Sequence, residues 1–305
     1  MFVLWCSLLA AWGYSPAYAA TALQLDVTRA AARLVSVGER GGIAYSDDQG
    51  RSWQAAMAGG QQLLTAVYFV DGQCGWAVGH DAQILATEDG GAHWIRQFED
   101  PAREAPLLDL WFADRQRGFA VGAYGYLLGT HDGGASWQDL STLLDNPEQL
   151  HLNAIAEVRD GALFIAGEAG RLFRSLDHGA TWERLPVELP GSLFGLLATG
   201  APQTLLAFGV RGHLYRSADN GAHWQPIPLP GAPLSLAGGT LLADGTLVLV
   251  GGDRVLRSSD GGRSFVVLDV PADQALAAVS GTADGALVVA GQGGLRRVAM
   301  PRVAQ

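Results

Sequence analysis

One eight-residue pattern occurs six times in this chain, at residues 46–53, 87–94, 130–137, 175–182, 217–224 and 258–265. It reads Ser/Thr-x-Asp-x-Gly-x-Ser/Thr-Trp, with His93 and His223 in the second Ser/Thr slot and Phe265 in place of one Trp. Each position has a physical reason. A short Asp side chain accepts hydrogen bonds from the backbone N–H groups of its own turn. The Gly tolerates the positive φ that a tight hairpin demands. The flanking hydroxyls tie off remaining backbone groups, and the closing Trp is expected to open the next strand as an apolar anchor. The aspartates fall at Asp48, Asp89, Asp132, Asp177, Asp219 and Asp260, at intervals of 41, 43, 45, 42 and 41 residues. A period of roughly 40–45 residues made of short strands is the size of one four-stranded propeller blade.

The spacing predicts an all-β, seven-bladed β-propeller with six Asp-box hairpins. A glycine closing the second strand of each unit recurs seven times, at Gly38, Gly79, Gly122, Gly167, Gly209, Gly251 and Gly291. In the second unit the four strands are read at 64–70, 76–79, 84–87 and 94–98. The seventh unit lacks its own box, so a three-stranded last blade is expected. Residues 23–27 alternate as a strand does and are read as the innermost strand of blade one, not as a borrowed outer strand of blade seven. Neighbouring blades share one continuous core, so residues 20–305 are read as a single domain.

Residues 1–12 form an apolar run, and Ala17-Tyr18-Ala19 supplies the small-x-small pattern of a signal-peptidase site. Residues 1–19 are therefore read as a signal peptide and the chain as exported to the periplasm, although the usual basic start is absent and the first Arg is Arg29. Removal of Cys6 with the signal leaves Cys74 alone, which is read as a structural thiol. The net charge is −10 and the chain has no Lys. Such an acidic chain lacks the dense positive charge that nucleic-acid binding requires.

Two connections between a fourth strand and the next first strand are long, at 99–106 and 139–151. In a propeller these loops lie on the same face as the turns between second and third strands, opposite the Asp boxes. Those turns place Arg40, His80, Asp81, Tyr124, Glu168, Arg211 and Arg254 around one mouth. Mixed charge with an aromatic suits a protein or peptide partner; the blander alternative is a hydrated rim. His80-Asp81 could serve as an acid/base pair, but such a pair is more often a solvated turn. His93 and His223 are expected to hydrogen-bond inside their boxes. No His-x-x-x-His or Cys-x-x-Cys spacing occurs, so no metal site and no small-molecule cofactor is expected.

The six boxes resemble the bacterial neuraminidase (BNR), or Asp-box, repeat. The fuller run from Gly75-Trp76-Ala77-Val78-Gly79 to His93-Trp94 resembles the photosystem II stability/assembly-factor family. That resemblance implies an exported scaffold without catalytic residues, monomeric on its own, that binds a membrane protein complex. In non-photosynthetic bacteria it implies an inner-membrane exporter as the client. Sialidase-type glycoside hydrolases share the box and supply the alternative, as does a carbohydrate-binding propeller. Sialidase chemistry would need an arginine trio, for which Arg40, Arg211 and Arg254 are available, and a Tyr–Glu pair, for which Tyr124 or Tyr126 and Glu168 are available. The Phe/Tyr-Arg-Ile-Pro signature of those enzymes is missing.

Overall fold

The computed structural model describes residues 21–187, 189–232, 234–270 and 274–300. The expected signal peptide lies outside them. The described strands form six four-stranded antiparallel sheets and one three-stranded sheet, each built from consecutive strands. Blade one comprises Gln24–Ala30, Arg33–Gly38, Ile43–Ser46 and Gln54–Ala55. Blade two comprises Leu64–Phe69, Gly75–Gly79, Ile84–Thr87 and Ile95–Phe98, close to its sequence reading. Blades three to six follow the same plan, beginning at Leu107–Phe112, Leu152–Glu157, Leu193–Ala198 and Gly238–Leu241. Blade seven comprises Leu276–Gly281, Leu287–Gly291 and Gly294–Val298. The seven innermost strands contact one another in a ring that closes from blade seven to blade one.

Every second strand is buried along its whole length from blade two onward, as in Gly75–Gly79, Gly118–Gly122 and Leu205–Gly209. Both of its faces meet a neighbouring blade, so it reads as a continuous apolar run where a half-exposed strand would alternate. The glycine that ends this strand is required by a close approach. The backbone there is extended, with φ −173° at Gly38 and −176° at Gly79, so conformational freedom is not the reason. A Cβ at Gly79 would stand 2.1 Å from the Leu63 carbonyl oxygen, and Gly38, Gly167, Gly209, Gly251 and Gly291 face equivalent carbonyls at the same distance. The innermost strand bulges at this point, between Leu64 and Ala66 in blade two, which pushes its leading carbonyl against the second strand.

The boxes behave as their residue types require. In blade four the Ser175 hydroxyl donates to Asp177 Oδ1 (2.7 Å) and accepts from the Gly179 N–H (2.8 Å). The Thr181 N–H and hydroxyl donate to the two oxygens of Asp177, at 2.9 and 2.6 Å. His93 and His223 occupy the hydroxyl slot through contacts of 2.6 and 2.7 Å to Asp89 and Asp219. In one respect the structure differs from the sequence reading. The box aromatic precedes the outer strand, and Trp94 pairs its N–H with the Met57 carbonyl of the preceding blade. Its role is to fill the seam between blades: Trp182 of blade four stands edge-on to Phe119 of blade three, with centroids 6.0 Å apart.

The ring closes by packing. Val27, Leu34, Ala44 and Trp53 of blade one share a core with Ala278, Val288, Ala290 and Leu295 of blade seven. Around it, Arg51 and Arg297 both pair with Asp284, at 2.6 and 2.7 Å. Gln49 accepts from the Ala283 N–H (2.6 Å) through its side chain and from Arg297 Nε (3.1 Å) through its carbonyl. Cys74 is buried in a turn of blade two, where burial pushes its thiol above the ordinary range. Substituting Gly79→Ala should cost about 3 kcal/mol, the upper end of over-packing penalties, because the opposing atom is backbone and cannot rotate away. Gly59→Ala, with nothing within 4 Å of the added carbon, should be near neutral. Urea denaturation of the two variants checks this, and equal midpoints would refute the close-approach account.

Candidate functional site

The turn between second and third strands has one geometry in blades one to five. A single turn of 3-10 helix carries a left-handed residue, at Arg40 (φ 55°), Asp81 (57°), Tyr124 (55°), Ala169 (52°) and Arg211 (55°). Four of these five are residues that the sequence reading assigned to the mouth. Tyr124 is the bulkiest of them and is 55% exposed. A large side chain in this backbone region is uncommon, so a Tyr here is a feature that calls for a reason.

The other assigned residues divide by what they touch. Glu168 accepts the His151 N–H through Oε2 (2.9 Å), which anchors the chain entering blade four. Arg254 Nη1 donates to the Pro230 and Ala232 carbonyls (3.4 and 2.9 Å) and holds the loop into blade six. The residue just before the third strand has a similar task elsewhere. Tyr126 lies beneath Arg103, 3.7 Å from guanidinium to ring; Arg171 meets Glu148 at 3.4 Å; His213 meets the Pro190 carbonyl at 2.5 Å. His80 is exposed, while the Asp81 carbonyl accepts the Asp100 N–H of the 99–106 loop (2.9 Å). Of the set considered for sialidase chemistry, Arg254, Glu168 and Tyr126 are thus engaged in holding loops, and the three arginines stand on blades one, six and five.

The two long loops meet and form a cleft. Arg103 from the first donates to Asp139 at the start of the second (2.7 Å). Asp139 also accepts the Ser141 hydroxyl and N–H, at 2.6 and 2.9 Å. Burial pulls the Asp139 carboxyl up, but Ser141 and Arg103 outweigh it and hold the group below the ordinary carboxylate range. Asn146 closes its own turn on Leu150, donating at 2.9 Å and accepting at 3.2 Å. The result is an open cleft of about 640 Å³ lined by Arg103, Tyr124, Asp139, Thr142, Asn146 and Gln149. Tyr124 stands over it with His151 edge-on at 5.0 Å. Asp145 also borders a second cleft, of about 630 Å³, beside Arg171 and Arg184. An aromatic, amides and a neutralised ion pair can hold a peptide backbone.

Sequence reasoning passed over the innermost strands. Asp26 of blade one accepts the Val67 N–H of blade two (2.9 Å), and Thr65 of blade two donates to the Leu107 carbonyl of blade three (2.7 Å). Asp109 of blade three accepts the Ile155 N–H of blade four (2.9 Å), and Asn153 of blade four donates to the Leu193 carbonyl of blade five (2.7 Å). Blades one to five are thus clasped in series around the axis. The signal was present as a carboxylate two residues after the bulge-forming residue, in Gln24-Leu25-Asp26 and Leu107-Leu108-Asp109. Both residues are partly buried, with their carboxyls surrounded by protein near the axis. Burial raises Asp26 to about 6 and Asp109 to about 7, against the backbone N–H bonds that favour ionisation, and Asp26 itself repels Asp109.

The box aspartates shift the other way, to about 2. In Asp48, Asp132 and Asp177 the hydroxyl of the seventh box residue is the main cause. In Asp89, Asp219 and Asp260 burial opposes the shift and is outweighed by the hydrogen bonds of the turn.

The sequence profile described as "Photosynthesis system II assembly factor YCF48" matches residues 96–229, and that of the "BNR/Asp-box repeat" matches residues 44–55. No curated protein matches the sequence. Among solved structures, YCF48 from Cyanidioschyzon merolae superposes with a TM-score of 0.73 at 14% identity, over 92% of this chain and 97% of that one. YCF48 bound to D1 peptide superposes at 0.71 and 17% identity, over 93% of each. The WD40 propeller domain of Doa1 superposes at 0.69 and 17% identity, over 91% of this chain and 92% of that one. The chain is a BNR-repeat propeller that resembles the photosystem II assembly factors.

The opposed carboxyl shifts set a pH profile. A carboxyl raised in the folded state stabilises the fold below its unfolded value and loses that contribution as pH rises through the folded value. A lowered one contributes above the unfolded value and is lost as pH falls. Asp26 and Asp109 therefore favour the fold as pH drops from about 8 to 5, and the boxes weaken it below about 4. Thermal melting across this range should peak at about pH 4–6, and Asp26→Asn with Asp109→Asn should flatten the upper limb alone. An unchanged upper limb in that double variant would refute the assignment.

Proposed function

We propose that this chain is an exported, non-enzymatic scaffold that holds an extended segment of a membrane protein complex in the cleft between the 99–106 and 139–151 loops. The observation that carries the reading is the position of that cleft. Every residue lining it falls inside the 96–229 segment that matches the YCF48 family. The exposed Tyr124 supplies the rigid aromatic anchor that protein interfaces favour, and Thr142, Asn146 and Gln149 supply backbone partners. A YCF48 propeller is known with a D1 peptide bound, which supports a peptide as the ligand class for this chain too. Export rests on the apolar start and Ala17-Tyr18-Ala19. An inner-membrane exporter is the client we put first. The engagement of Arg254 and Glu168 in loop anchoring favours the scaffold over a sialidase-like hydrolase.

Affinity capture from solubilised membranes, with the bound proteins identified by mass spectrometry, tests this. One membrane complex should be retained at moderate salt, and Tyr124→Ala should reduce its capture about tenfold or more, as loss of an interfacial aromatic does, with an unchanged melting curve. Arg211→Glu, on blade five and outside the cleft, should leave capture intact. Capture that is lost with Arg211→Glu and kept with Tyr124→Ala would move the site to the axial mouth. Turnover of aryl sialosides by the unmodified chain would overturn the scaffold reading.

A further inference from the structure

The loop that enters a blade is tied down by the residue at or just before the start of that blade's third strand. Arg103 lies on Tyr126 at blade three, and Glu148 meets Arg171 at blade four. The Pro190 carbonyl meets His213 at blade five, and the Ala232 carbonyl accepts from Arg254 at blade six. Blade two departs from this plan. The matching residue is Gln83, which is 1% exposed. It faces Gly60 of the entering loop, where a Cβ would stand 2.9 Å from its Oε1 and 3.3 Å from its Nε2. Both polar atoms of the Gln83 amide are buried and have no hydrogen-bond partner. A primary amide carries two N–H donors and a carbonyl acceptor, and leaving them unpaired in the interior is costly.

The loop above Gln83 supplies an independent observation. It is held as far as Met57, whose N–H donates to Ala92 and whose carbonyl accepts from Trp94, both at 2.9 Å. Ala58 packs on the core between blades one and two. The chain is held again at Leu63, whose carbonyl accepts the His80 N–H (2.9 Å). Between these points lie Gly59, Gly60, Gln61 and Gln62. Among the described residues their one hydrogen bond is internal, from the Gln61 N–H to Gln62 Oε1 (3.1 Å). The Gly60 carbonyl lies over Gly41 of blade one, where a Cβ would stand 2.5 Å from it. Two consecutive glycines leave this backbone free to rotate. The strap therefore covers the Gln83 amide without satisfying it, and is itself fastened at its two ends.

We propose that residues 59–62 form a hinged strap over a backbone-binding site. The strap lifts about Ala58 and Leu63, and Gln83 then pairs with one peptide group of an extended segment of another protein. Its Oε1 accepts the N–H of that group and its Nε2 donates to the carbonyl. A side-chain amide has the same donor and acceptor as a peptide group and no charge, which fits a backbone better than an ion. The site shares no residue with the cleft on blades three and four, so either can fail without the other.

Water exchange of the Gln83 side-chain amide tests the strap. It is read by NMR on the full 15N-labelled chain, with the resonance assigned by its loss in Gln83→Met. Exchange should fall within about a hundredfold of that of exposed Gln61, as for a mobile loop. The probe for the occupant is acetyl-tetraalanine methylamide, set against its analogue methylated on every amide nitrogen, which keeps the carbonyls and has no N–H. The first peptide should shift the Gly59, Gly60 and Gln83 resonances saturably and slow the exchange of Gln83. The analogue should bind about tenfold more weakly, roughly the loss of one hydrogen bond. Gln83→Met keeps the length of the side chain without its polar atoms. It should melt no lower than the unmodified chain and respond to neither peptide. The two peptides give the same test without altering the protein. Four results would overturn the proposal. These are a Gln83 amide as protected as the core amide of Ala77; no saturable shift at Gly59 and Gly60; equal binding of the two peptides; and peptide binding unchanged in Gln83→Met.

Discussion

The architecture depends on one close approach, repeated in every blade. The carbonyl that leads the innermost strand presses against the glycine ending the second strand, as Leu63 does at Gly79. The same carbonyl accepts the N–H of the turn that follows. His80 donates to Leu63, Ala123 to Pro106, Glu168 to His151 and Val210 to Ser192, at 2.9 to 3.1 Å. One oxygen thus fixes both where the chain enters a blade and where the face turn of that blade points. Remove the glycine, and the entering loop and the turn lose their common reference. The mouth face is in this sense a consequence of a backbone contact two layers below it.

That contact explains why display and anchoring fall to different residues of one turn. The left-handed apex points its side chain away from the blade, which leaves Arg40, Tyr124 and Arg211 exposed. The residues flanking the apex turn back toward the incoming loop, so Glu168 and Arg254 are engaged with backbone groups there. A cleft arises where the incoming loops are long enough to rise above the apices, and blades three and four meet that condition. The periodic frame supplies the position, and two insertions supply the wall.

The repeat unit also accounts for what is incomplete. Each box aromatic and each Arg before a box serves the seam with a neighbouring blade, so blade and seam are one construction. Blade seven lacks its box, and among the described residues its sheet has three strands and the buried Nε of Arg257 in blade six has no partner. The seam between blades seven and one is made good by Trp53, Gln49, Arg51 and Asp284. The seam between blades six and seven has no box to do the same.

The sequence by itself determined the blade count, the order of strands, the box hairpins and the face on which the long loops lie. Each of these follows from local chemistry repeated at a fixed period: Asp with its hydroxyl partners, glycine at a close approach, and alternation or continuity of apolar residues. It also located Tyr124 and Arg211 in the turns of that face, because turn residues are legible from their neighbours. It did not separate Glu168 and Arg254, which hold loops, from the exposed residues beside them, because their partners at His151 and Ala232 lie 17 and 22 residues away. Nor did it reveal the axial clasps of Asp26 and Asp109, whose partners Val67 and Ile155 belong to the next blade. Contacts between blades depend on how the ring closes, and closure is decided by tertiary packing, where each side chain meets residues that its own repeat does not contain.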